Sequence, residues 1–290
     1  MSSSANPSLL CIGDVMLDVV AIIKNKINFG SDTPSSISTH GGGAAGNVAA
    51  WARIKGAPTH IVARVGDDAA GIAVLSEFDS MGISHTGATI KDERTGVVVV
   101  LVDKSGERTM FPESGANSGL TFADLPDLAP FSVVYLSGYA LLNEESRPEV
   151  LKMIASIRQH GIPIYFDPAT VGGMSQVDIE EVRSWLPLMS GLFMNEEEAA
   201  FLTGQMDLET GLDLLLNSAP LVVIKRGPQG AIGKNRDGEK VIVTAVPTQV
   251  IDTTGAGDSF AGGYIARWLS AAASMSACTL AQYRRENVLQ

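Results

Sequence analysis

Cysteine is nearly absent: Cys11 and Cys278 are the only two in 290 residues. That excludes the disulfide framework of a small secreted domain. With four scattered histidines, two cysteines also build no zinc pattern. Positive charge is scarce as well, with 21 Lys and Arg against 32 Asp and Glu and a net charge of −11. Nucleic acids and anionic membranes both demand a basic face, so neither is expected as a partner. A phosphate-bearing ligand stays open, because a local cradle of backbone amides overrides the global sign. No stretch reaches the ~18 uninterrupted apolar residues that span a bilayer. The opening MSSSANPSLL lacks the basic segment and apolar run of a secretory signal. A soluble cytoplasmic protein is the simplest expectation.

What is present is core material in a regular order. At 45% hydrophobic residues, the chain has enough to bury a large core as one α/β domain. Short apolar runs at 9–15, 60–66, 132–138, 162–168, 191–197 and 221–227 read as buried strands, each ending in Gly, Asp, Asn or Pro. Between them the pattern predicts helices over 47–55, 69–81, 147–160, 179–189, 196–202 and 210–217. Such alternation implies a mainly parallel sheet covered on both faces, with ligands beyond the carboxyl ends of the strands. Asp14, Gly66-Asp67, Asp167, Asn195 and Lys225 fall at those ends. Residues 25–43 and 95–113 carry no helix, and the second segment reads as a hairpin turning at 103–106. They are expected to form a small β sheet over the site.

The richest segment is Ile251–Gly263, IDTTGAGDSFAGG. Gly255, Ala256 and Gly257 make a small turn that opens a helix-like run. The first amides of a helix lack intrahelical acceptors and present the positive end of the dipole to an anion. Asp258 sits in that turn. A carboxylate repels a passive anion, so its expected task is to take a proton from an attacking hydroxyl. Cradle plus base points to phosphoryl transfer; the plainer reading is a turn with Asp258 as helix cap.

The run Gly41-Gly42-Gly43-Ala44-Ala45-Gly46-Asn47 satisfies G-x-G-x-x-G, and Asp67 lies about twenty residues on, as in a dinucleotide turn. Its context differs, since polar SDTPSSISTH precedes it rather than a buried strand. Gly41 and Gly46 also stand at P-loop spacing, but Asn47 and Val48 replace the required Lys and Ser/Thr. A tight loop capped by Asn47 is the structural alternative.

Gly13-Asp14 with Asp18, this glycine run, Asn195-Glu196-Glu197-Glu198, Lys225-Arg226-Gly227-Pro228-Gln229-Gly230 and DTTGAGDSFAGG follow one another in an order that resembles the ribokinase (PfkB) family of carbohydrate and nucleoside kinases. The resemblance covers roughly residues 8–270 and is carried mostly by the C-terminal motif. It implies a ribokinase-like three-layer α/β/α fold with a mainly parallel central sheet and a small β lid. The 290 residues then form one kinase domain, with a core over about 8–18, 44–88 and 118–290 and a lid over about 19–43 and 89–117. Some family members dimerise through that lid, and a homodimer is expected here on the same ground.

The implied activity is ATP-dependent phosphorylation of a hydroxyl on a small sugar. Asp258 is the general base, and the amides of Gly255, Ala256, Gly257 and Asp258 form the anion hole. Asp14 or Asp18, with Asp14 favoured, holds the acceptor's hydroxyls with Asn47, while Gly42 and Gly43 let its ring approach the backbone. GERT and GAN add Arg108 and Asn117 from the lid. Asn195 and Glu198 match N-x-x-E, which organises Mg²⁺ through water; acids in a first helical turn are also favoured by the dipole alone. Lys225 meets phosphate charge, and Gly227 and Gly230 turn over the adenosine. Asp252 belongs to a monovalent-cation site, so K⁺ joins ATP and Mg²⁺ as an expected cofactor.

Relatives continue beyond the motif with an Ala-rich helix and a Gly-containing turn, whereas Thr279–Gln290 shows no such turn. The nucleotide site and K⁺ dependence are where this chain is expected to differ. A nucleoside kinase of the same fold, with Phe29 and Phe111 as base platforms, and a non-catalytic binding protein are the competing classes.

Overall fold

The computed structural model describes residues 8–86, 88–246 and 255–274. Among them, nine strands form the central sheet. Their order is Lys240–Val243, Ala231–Asn235, Leu221–Lys225, Gly191–Asn195, Ile164–Asp167, Phe131–Ser137, Ser8–Ile12, Thr59–Val62 and Ser84–Thr86. The last seven run parallel to one another; Ala231–Asn235 runs opposite to them, and Lys240–Val243 pairs antiparallel with it.

Alternation along these strands builds two cores. Leu10, Ile12, Val134, Leu136, Phe166, Met194 and Ile224 point to one face, against helices Arg147–Gln159, Ile179–Trp185, Glu196–Thr203 and Leu208–Leu216. Leu9, Cys11, Val133, Tyr135, Tyr165 and Phe193 point to the other, against helices Ala44–Ile54, Ala69–Met81 and Ala256–Ser274. Apolar residues on both sides of each strand are what a doubly covered parallel sheet requires. No helix among the described residues is long and apolar enough to cross a membrane.

A second sheet has the order Ser36–Gly42, Met16–Ile22, Gly96–Val102 and Arg108–Glu113. The chain enters it three residues beyond the first central strand, so this sheet hangs over the carboxyl ends of the central strands. The expected hairpin is present. Asp103 Oδ1 accepts from the amides of Ser105 at 2.8 Å and Glu107 at 3.0 Å, and Gly106 takes φ +86°.

Local chemistry explains where expected boundaries hold and where they move. Helix Ala69–Met81 matches its prediction because Asp68 caps it, accepting from Gly71 N, and left-handed Gly82 ends it. The helix expected over 47–55 begins at Ala44 instead, since the Asp14 carboxylate accepts the Ala44 amide at 2.7 Å and does the capping. The helix expected over 179–189 stops at Trp185, and a 3₁₀ turn carries Pro187, which has no N–H to continue it. The strand expected over 60–66 splits into Thr59–Val62 and Val65–Gly66, the latter pairing with Thr89–Ile90. The antiparallel pair Ala231–Asn235 and Lys240–Val243 is unanticipated; its Asp237-Gly238 turn, with Gly238 at φ +87°, is the hairpin signal that marks it.

Candidate active site

Between the carboxyl ends of the central strands and the small sheet lies a cavity of about 740 Å³. Every expected site residue borders it except Gly42, which backs Asp18, and Asp252, which lies outside the described residues with the rest of 247–254.

At its centre is the start of helix Ala256–Ser274. Gly255 takes φ +67°, and its carbonyl accepts from Ser259 N at 2.7 Å, closing the first turn. The amides of Ala256, Gly257 and Asp258 fall in that turn, where no intrahelical acceptor exists. Asp258 Oδ2 accepts from Asn47 Nδ2 at 2.9 Å. Burial pushes its pKa up to about 7, while the Asn47 bond holds it down and the charges of Asp167 and Asp14 add to the rise. A carboxyl poised near neutrality beside free amides suits a general base at an anion hole.

At the exit of the first strand the structure separates two aspartates, Asp14 and Asp18, of which the resemblance favours Asp14 for the acceptor. Asp14 is committed internally: Oδ1 accepts from Ser137 Oγ at 2.7 Å and Oδ2 from the Ala44 amide at 2.7 Å. Burial raises its pKa, and these bonds oppose the rise. Asp18 Oδ1 is buried with no hydrogen-bond partner. Burial, then the Asp14 charge, pushes Asp18 up to about 6, against the opposing pull of His40. Gly42 is needed here, because a Cβ on it would lie 2.2 Å from Asp18 Oδ1. Gly43, at φ +82°, caps the helix, and its Cβ would meet the Asp14 carbonyl oxygen at 2.5 Å.

Asn117 spends its amide on the backbone. It accepts from Val15 N at 3.0 Å and donates to Val15 O at 2.8 Å and Ser114 O at 2.9 Å, tying the second sheet to the exit of the first strand. Arg108 borders the cavity with an apolar ceiling of Met16, Val98, Met110 and Pro112. Phe111 alternates to the opposite face and is 55% exposed, and Phe29 is 87% exposed. Neither lines the cavity, whereas Tyr139 does.

At the far end, Asn195 and Glu198 form a reciprocal capping box. Asn195 Oδ1 accepts from Glu198 N at 2.8 Å, while Glu198 accepts from Asn195 N at 2.7 Å and Nδ2 at 2.8 Å. Burial, then the Asp167 charge, pushes Glu198 up to about 7. Among the described residues, no group of three His, Cys, Asp or Glu is arranged to hold a metal directly. Lys225 Nζ donates to Asp167 Oδ2 at 2.6 Å. Gly227 and Gly230 take φ +51° and +88°, and a Cβ on Gly230 would lie 1.8 Å from Val243 O. Arg226 turns away to Glu196 at 3.0 Å.

Asp167, Ala169 and Tyr139 border the cavity too; the sequence puts Asp167 at a strand end where ligands bind but gives it no role, and it does not single out the other two. For Asp167 the available signal was an Asp-Pro pair closing a buried strand; for the other two there was none.

The model of the PfkB family of carbohydrate kinases matches residues 6–283. The fructokinase of Vibrio alginolyticus is 31% identical over 264 residues, covering 88% of this chain and 81% of that one. The bifunctional ribokinase/ribose-5-phosphate isomerase A of Fructilactobacillus sanfranciscensis is 28% identical over 232 residues. The match covers 77% of this chain and 41% of that longer protein. Arabidopsis thaliana ribokinase, solved in complex with ribose and ATP, superposes with a TM-score of 0.77 at 23% identity, over 97% of this chain and 90% of that one. The architecture is therefore ribokinase-like, and the chain belongs to the PfkB family of carbohydrate kinases.

Proposed function

We propose that the protein transfers the terminal phosphoryl group of ATP to a primary hydroxyl of a small, neutral sugar or polyol. The observation that carries this reading is Asp258. Its carboxyl is pushed up to about 7, is held by Asn47, and stands in the first turn of a helix whose amides face the cavity. Asp258 takes the proton of the attacking hydroxyl. The amides of Gly255, Ala256, Gly257 and Asp258 receive the charge of the transferring group, and Lys225 offsets more of it. Asp18, with a buried oxygen lacking a partner, accepts vicinal hydroxyls of the acceptor. Asp14, whose oxygens are engaged, instead fixes the helix that carries Asn47.

The residues present fit Mg-ATP. The anion turn is open, Lys225 is the cation beside it, and Glu198 is a buried acid facing further negative charge. A cavity of about 740 Å³ is in the range of ligand sites. Asn195 and Glu198 would hold Mg²⁺ through water, as its reluctance to dehydrate favours. When bound, Mg-ATP would supply the phosphoryl group and a divalent cation to offset the phosphate charge.

In this reading the small sheet is a lid that excludes water; its first strand starts at Met16, so it takes in Asp18 and begins ahead of the expected bounds of about 19–43 and 89–117. Its exposed edge strands are where a second copy docks. Phe29 and Phe111, the two base platforms that the sequence offers, stand outside the lining, which removes that support for a nucleoside.

The test is ADP release from Mg-ATP across ribose, fructose, 2-keto-3-deoxygluconate, fructose phosphates, adenosine and pseudouridine. One neutral sugar should turn over and stop doing so in Asp258→Asn. Near-normal turnover in that variant overturns the assignment.

A further inference from the structure

Lys225 occupies an electrostatically awkward place. Its ammonium lies over the first turn of helix Ala256–Ser274: a Cβ built on Gly257 would be 2.9 Å from Nζ. The N-terminus of a helix carries partial positive charge, so a cation there is repelled. Burial adds to the cost, because it favours the neutral amine. Something fixed must hold the charge in position.

Asp167 is built for that task. Its side chain is 8% exposed and that of Lys225 17%. The two Asp167 oxygens are divided between two partners: Oδ1 accepts from the Ala169 amide at 3.0 Å, and Oδ2 accepts from Lys225 Nζ at 2.6 Å. Ala169 reaches its position only at φ +76°. This is a left-handed conformation that a residue with a Cβ adopts at a cost, and such strain gathers at functional sites. Behind it, the Asp167 carbonyl accepts from Gly138 N at 2.7 Å. Gly138 has no room for a side chain, since its Cβ would lie 2.5 Å from Pro168. Strained turn, carboxylate and ammonium form one chain of contacts ending at the anion turn. An ammonium has three N–H donors, and the pair with Asp167 uses one.

We infer that Asp167 is a positioning residue, which holds the Lys225 ammonium over Gly257 so that its remaining donors meet the phosphate chain of the nucleotide. This rests on the phosphoryl-transfer reading, yet it can fail separately. For Lys225, burial pulls the pKa down, but Asp167 (by charge and hydrogen bond), then Glu198 and Asp258, raise it above the ordinary lysine value. Removing Asp167 takes away the largest of those supports.

The experiment is calorimetric titration of Mg-ATP into the full chain, which needs no acceptor. The variants are Asp167→Asn, Lys225→Met and the double, from pH ~7 to ~10. Each single substitution should weaken binding about 10- to 100-fold, the worth of a hydrogen bond to a charged group. The double, which leaves no lone buried charge, should bind no worse than Lys225→Met. Asp167→Asn should also lose affinity at a lower pH than the parent. Losses that multiply in the double, or superimposable pH profiles for Asp167→Asn and the parent, overturn the inference, while the loss of turnover in Asp258→Asn still upholds the kinase reading. No binding of Mg-ATP by the parent overturns both. Asp167→Glu, which keeps the charge but moves it by a methylene, covers the case in which Asp167→Asn does not fold. Weakened binding with an unchanged pH profile is expected, and parental affinity overturns the inference.

Discussion

The two sheets are made differently, and the difference divides the labour at the site. Central strands such as Phe131–Ser137 and Leu221–Lys225 are packed on both faces. The small sheet leaves one face open, with Ile37 66% and Phe111 55% exposed. Asp14, Asp258, Glu198 and Lys225 all hang from the ends of central strands or from helices packed on that sheet. The small sheet contributes Asp18, Arg108 and an apolar ceiling. In the proposed function, chemistry sits on the element packed on both faces, where neighbours lock side-chain geometry, and selection of the acceptor sits on the one with an open face.

The sharpest way to break this division is Asp258→Asn. Removing a positioned general base should cut turnover by about 10²–10⁴. The fold should not suffer. Burial raises the folded pKa of Asp258 to about 7, from an ordinary value of 3.8. Its contribution to stability is therefore fully present below the unfolded value and lost as pH rises through about 7. Melting of Asp258→Asn against the parent should show a relative gain in stability that grows from acidic pH up to about 7. A variant that melts markedly lower at neutral pH would count against the buried, strained charge.

Next comes a contrast in stability. Trp185 is buried beneath the central sheet, and Trp185→Ala should cost about 3–5 kcal/mol in chemical denaturation. Phe111→Ser, on the open face of the small sheet, should stay within about 0.5 kcal/mol. Equal losses would mean that the second sheet is as integral to the core as the first.

Asp18→Asn should raise the KM of the acceptor about tenfold and change kcat much less, as expected when a charged acceptor leaves uniform binding. The smallest effect is on pH dependence. With Asp18 at about 6 and Asp258 at about 7, acidification should lower kcat first and raise acceptor KM later, since both carboxylates act ionised. The reverse order would exchange their roles.

Much of the fold was legible because its signals are local. Asp68 and Gly82 bracket one helix, and the alternation of apolar runs with helical segments carries the parallel sheet, without its strand order. The anion turn was legible for the same reason, since a small-residue turn and its aspartate are neighbours in sequence. Pairings across the fold were not. Lys225 and Asp167 are 58 residues apart, and only the order of the central strands brings them together. Asp14 and Asp18 are alike in sequence, and what separates them is the Ser137 hydroxyl from another strand and the absence of a side chain at Gly42. Asn47 is expected at the acceptor, and the sequence gives no sign that its amide nitrogen also reaches Asp258, 211 residues away.

The most direct test of the central claim is the pH profile of kcat for whichever neutral sugar supports ADP release from Mg-ATP, run beside Asp258→Asn. The account predicts a rise with pH through about 7 in the parent, and residual, nearly pH-independent turnover in the variant. A parental profile flat across that range, or a variant that keeps the parental rise, would show that Asp258 is not the base.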